Sequence, residues 1–93
     1  MSLQADLKKK FSMIAAILPV LKLSKGVRGT ETVALLETKV NDGKEALAEE
    51  NLDLAKSIGL EAGKLLLKCG EALPAAARRV ALPKIKQICR YGV

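Results

Sequence analysis

The sequence predicts an all-α fold: a small up-and-down bundle of four helices forming a single helical domain over residues 1–93. A fifth helix appears if a proline kink splits the last segment. Three observations carry this. Apolar residues recur at three- and four-residue steps along most of the chain. Hydrophobic residues make up 49 % of the composition but aromatics only 2 %, so the core is built from Leu, Ile, Val and Ala, which favours helices over sheets. Turn and cap signals then divide the chain into segments of similar length.

In the first segment, residues 3–23, Leu3, Leu7, Phe11, Ile14, Leu18 and Leu21 share one helical face, and Lys8, Lys9, Lys10 and Lys22 fall mostly off it. Pro19 is expected to kink this helix after Leu18. Lysines followed by an apolar run have the order of a signal peptide. Lys22 and Lys25 follow at once, however, no small-x-small cleavage site is present, and the apolar run is short of the ~20 residues of a membrane span. A core helix fits better than a targeting or membrane-surface segment. Ser24–Gly29, with two glycines, reads as a connector.

Thr30 caps the second helix, Glu31 complements its positive end, and Val33, Leu36 and Val40 form its buried face. Two stops compete. Asn41-Asp42-Gly43 is a turn signal; at Glu50-Asn51, Asn51 can cap a following helix. The second is favoured, because it divides residues 30–72 into two helices of about 30 Å each, matching the first.

The third helix is the most patterned. Leu54, Ile58, Ala62, Leu65 and Cys69 mark an apolar face, with the Leu65–Cys69 side expected in the core. Beside it runs a stripe of small residues: Ala48, Ala55, Gly59, Gly63 and Gly70. Each interior glycine costs a helix about 1 kcal/mol relative to alanine, so another backbone is expected to come close there. That neighbour is either the chain's own first helix or a second molecule. Ala55, Gly59, Gly63, Leu66 and Gly70 are the candidate helix-packing or dimer contacts. Gly70 is expected to end the helix and Pro74 to open the last one, residues 75–91. Pro83 kinks or splits that segment, whose apolar positions are Val80, Leu82, Ile85, Ile88 and Cys89.

The net charge of +6 is unevenly spread. Residues 1–29 carry six bases against Asp6, and residues 74–93 carry five bases and no acid. Residues 30–73 carry nine acids against five bases. The basic ends either fold back on the acidic centre or bind an anion. The candidate anion-binding set is Lys8, Lys9, Lys10, Arg78, Arg79, Lys84, Lys86 and Arg90. With Phe11 and Tyr91 as the only aromatics, stacking platforms for single-strand reading are lacking, and binding of this kind would be sequence-tolerant.

Catalytic sets are absent from the sequence. There is no histidine to act as general base or zinc ligand, and no recognisable motif surrounds Ser12, Ser24 or Ser57. Glu45, Glu49, Glu50 and Asp53 read as a solvated helix face, since carboxylate metal sites in bundles add Glu-x-x-His. Neither an enzyme nor a cofactor is expected, and no small-molecule substrate is indicated. Cys69 and Cys89 are expected to be free thiols, which fits a reducing, cytoplasmic setting. The expected function is a non-enzymatic helical interaction module that self-associates, as a dimer, or binds another protein. The alternative is a basic protein that binds nucleic acid or anionic lipid through its two ends.

Overall fold

A computed structural model describes residues 2–92, in which four helices follow in order: α1 Leu3–Leu23, α2 Glu31–Ala48, α3 Leu52–Glu71 and α4 Ala75–Ile88. Local chemistry accounts for the starts. Ser2, Thr30 and Asn51 each accept a hydrogen bond from a first-turn amide, those of Ala5, Val33 and Leu54, at 3.1, 3.4 and 3.3 Å. Pro74 precedes the first residue of α4, where its missing N–H costs nothing.

The break between α2 and α3 falls at Asn51. The turn is closed by Glu50 N–H donating to Leu47 O and Asn51 N–H to Ala46 O, with Glu50 itself left-handed at φ 59°. That is a Schellman cap with glutamate where glycine is usual. Asn41-Asp42-Gly43 is no turn; it lies within α2. Pro19 and Pro83 also lie within unbroken helices, so four helices are present among the described residues, and no fifth.

The helices alternate in direction. α1 touches all three others, and so does α3, whereas α2 and α4 never meet. The bundle is therefore squeezed along one diagonal, and glycine is what permits it. A β-carbon on Gly59 would stand 3.1 Å from Leu7 Cδ2 and 3.6 Å from Phe11 Cζ; one on Gly70 would stand 2.7 Å from Ile85 Cδ1. The close neighbour of Gly59 is thus the chain's own α1. The tightest approach of all is at Gly43, where a β-carbon would lie 2.2 Å from Phe11 Cζ.

These approaches rotate α3 relative to the sequence reading. Its buried residues are Ala55, Ile58, Gly59, Ala62, Gly63, Leu66, Cys69 and Gly70. The core is centred on the small-residue stripe, while Leu65 is only half-buried and Leu54 is 47 % exposed. Ala48, counted in that stripe, is exposed at the end of α2. Gly70 does not end α3, which runs on to Glu71; it sits against Ile85 instead.

Two substitutions separate these roles by thermal melting. Gly43→Ala should cost about 1–3 kcal/mol despite alanine's better helix propensity, because the fully buried Phe11 ring has nowhere to move. Gly63→Ala meets only ordinary contacts, 3.5 Å from Lys10 Nζ and 3.6 Å from Cys89 Sγ, and should gain up to about 1 kcal/mol. Gly63→Leu overfills the same place and should lose about 1–3 kcal/mol. Equal melting temperatures for Gly43→Ala and Gly63→Ala would refute the squeezed diagonal.

Candidate interaction surface

The five candidate contact residues on α3, Ala55, Gly59, Gly63, Leu66 and Gly70, are all buried within one chain. They pack helices together and leave no small-residue stripe for a second molecule.

The eight candidate anion-binding residues do not form one face. Lys10 is only 1 % exposed and lies on the core side of α1, against the expectation that it falls on the solvent side. Lys8 turns toward α2, where it lines a groove with Gln4, Ser12, Lys44 and Leu47. Arg78 reaches back toward Glu71 O at 3.4 Å. Arg79 and Lys86 are exposed at positions i and i+7 on one side of α4, and Arg90 is exposed in the turn that follows it. Lys84 and Lys9 belong to the α1–α4 side: Lys84 lines the groove between those helices, and Lys9 Nζ stands 4.9 Å from the Tyr91 ring centroid.

The burial of Lys10 follows from the small residues around it. Its stem passes Gly59, and its ammonium and the Cys89 thiol flank Gly63, each about as far from the place a β-carbon would take. Among the described residues the ion pairs are Lys22–Glu37 and Lys39–Glu61, the latter at 2.6 Å, so Lys10 has no carboxylate partner there. Burial lowers its pKa below the usual lysine value, and the Cys89 thiolate is the charge that opposes this. Burial pushes Cys89 up in turn, although Lys10 pulls it down, and its S–H donates to Gly63 O at 3.4 Å. That is the reverse of an activated nucleophile. Burial also raises Cys69, and both thiols are free.

Leu35 of α2 and Leu54 and Leu60 of α3 are exposed, but the most exposed large apolar side chains belong to α1 and α4. Leu23 and Val80 are each 79 % exposed and Val20 is 54 % exposed. Val20 also lines a groove of about 320 Å³ with Met13, Ala16, Ile17, Lys84 and Ile88. The antiparallel register that sets Tyr91 beside Lys9 and Ile88 beside Met13 leads Val80 toward the Leu23 end of this groove. Periodicity could have found it: Met13, Ile17 and Val20 form a second apolar stripe on α1, hidden by the stronger one beginning at Leu3 and Leu7.

Among the described residues no cluster of three His, Cys, Asp or Glu side chains is placed to hold a metal, and no helix is long and apolar enough to cross a membrane. The chain matches no protein-family model, and no curated protein or solved structure is detectably similar to it.

Lys10 offers a test through pH. A lysine whose pKa is depressed by folding binds its proton more tightly in the unfolded chain. Stability therefore rises with pH between the folded value and the ordinary ~10.4, and is lowest below that window. The raised thiols act oppositely above about pH 8.5, so the comparison must hold them constant. Lys10→Met, with both cysteines kept, should be more stable at pH 7 on the order of 1 kcal/mol, a rise of roughly 4–8 °C in Tm for a domain of this size. That advantage should shrink as the pH approaches 10. An unchanged Tm at every pH would mean that the ammonium is well solvated.

Proposed function

We propose that this chain is a non-enzymatic helical module that works by binding protein through its α1–α4 face. The observation that carries the reading is the groove between α1 and α4 lined by Met13, Ile17, Val20 and Ile88, on the two helices that also carry the most exposed apolar side chains, Leu23 and Val80. Large apolar side chains gathered along one groove mark contact sites more often than scattered ones do. The groove's rim supplies Lys9 and Lys84 for register and partner choice, as charged rims do at protein interfaces. The lack of histidine and of any activated nucleophile supports a binding role over a catalytic one.

One observation favours a second reading. Arg79 and Lys86, seven residues apart on an α4 without a single acid, with Arg90 in the turn that follows, suit a phosphate-bearing surface, nucleic acid or anionic membrane.

A photo-crosslinking residue at position 80 tests the first reading in cells. It should capture a protein chain, and Val20→Glu in the same molecule should abolish the capture. The same crosslinker at Ser57, exposed on α3, serves as the control. Capture unaffected by Val20→Glu, or no capture beyond the Ser57 control, would count against the reading. The second reading predicts binding to a labelled duplex or to phosphatidylserine vesicles that falls steeply with salt and is lost in Arg79→Glu/Lys86→Glu. No binding to either at low salt would remove it.

A further inference from the structure

We infer that the partner seated on the α1–α4 face is a second copy of this chain, docked head to tail by the acidic outer flank of its α2 and the start of its α3. The inference rests on the reading of the α1–α4 face as a contact surface and names its occupant.

The chain carries both halves of such a contact on opposite flanks. α2 and α4 do not touch, and α1 and α3 lie between them. On the α2 flank a shallow groove of about 380 Å³ is lined by Asp42, Glu45 and Glu49 with Leu54 and Ile58. Leu54 is 47 % exposed there, an apolar anchor ringed by carboxylates. Lys39 borders the same groove, but its ammonium is held by Glu61 at 2.6 Å, so the three unpaired carboxylates set the sign of the surface. On the α1–α4 flank the apolar lining of Met13, Ile17 and Val20 is flanked by Lys84 within the groove and Lys9 at its end. Each flank thus offers apolar surface with charge of one sign, and the signs are opposite.

Charge decides the geometry of association. A twofold dimer through either flank would set like charges against each other, whereas joining one flank to the other pairs them. A heterologous contact of this kind closes only into a ring and otherwise runs on as a chain of subunits. Its charges are exposed, so the contact is weak and salt-sensitive: at about 0.3 M salt the screening length falls to roughly 6 Å.

Complementary charge reversal tests it by sedimentation velocity. Lys9→Glu/Lys84→Glu spoils the basic flank and leaves the acidic one; Glu45→Lys/Glu49→Lys does the converse. All four side chains are exposed, and circular dichroism verifies that each variant is helical. Should either pair fail to fold, Leu23→Glu and Asp42→Lys replace them at equally exposed positions. At low salt the native chain should form species larger than a dimer that grow with concentration and fall back to monomer at about 0.3 M salt. Each double variant alone should be monomeric, and a one-to-one mixture should regain species larger than a dimer in which the two variants alternate, because each flank of one is then complementary in charge to the opposite flank of the other. A monomeric mixture, a native species that stops at a twofold dimer, or a native chain that stays monomeric at low salt would overturn the inference. In the last case, Val20-dependent capture of a different protein at position 80 would leave the proposed function standing. Loss of that capture as well would remove both.

Discussion

The placement of one ring, Phe11, governs the rest of this structure. It is the chain's only phenylalanine, it is fully buried, and it occupies the space that glycine leaves on two neighbouring helices. Gly43 of α2 yields to the tip of the ring so far that no other residue fits there, and Gly59 of α3 lets the same ring and Leu7 settle against its backbone. The two glycines cost helix propensity, about 1 kcal/mol each. Burying a full aromatic side chain against three helices recovers more than that, since such a side chain buries 150–250 Å² at roughly 25 cal/mol per Å².

The squeezed diagonal has consequences at the surface. With α1 and α3 in direct contact, α2 and α4 are set apart on opposite flanks. The acids of the middle of the chain and the bases of its ends are thereby separated in space as they are in sequence. The basic ends do not fold back as a whole onto the acidic centre: Lys22–Glu37 is the single ion pair among the described residues between the chain's basic ends and its acidic middle. The same diagonal draws Lys10 inside. Its four-carbon stem passes Gly59, and its ammonium ends beside Gly63 and Cys89 without a carboxylate to meet it. A buried cation of this kind stabilises nothing by itself, and its effect is to couple the start of α1 to the end of α4. Gly92 packs on Leu7 and Tyr91 on Lys9 at the same end, so a single turn of the first helix, Leu7 to Lys10, meets the C-terminal residues.

The four helices and the caps of α2 and α3 were legible because they rest on local rules. Thr30 and Asn51 sit before apolar-periodic runs and bond the first-turn amides as such residues do, and Ser2, not read as a cap from the sequence, does the same for α1. The small-residue stripe of α3 announced close packing, and the core of that helix is centred on it. What misled was local in the same way. Asn41-Asp42-Gly43 has the composition of a turn, yet Gly43 is glycine for the sake of a phenylalanine thirty-two residues earlier. Proline at 83 left a split of the last segment open, and α4 runs through it unbroken.

The sequence by itself determined the helical class, the starts of the second and fourth helices and the segregation of charge along the chain, since capping, periodicity and composition act within a few residues. Only the tertiary structure decided which glycine admits which side chain and which of three adjacent lysines is buried. It also decided which apolar residues remain outside, on the α1–α4 groove. Those outcomes depend on the relative rotation of packed helices. A helix turns by about 100° per residue, so a small rotation moves Lys10 inward or Leu65 outward without altering any local pattern.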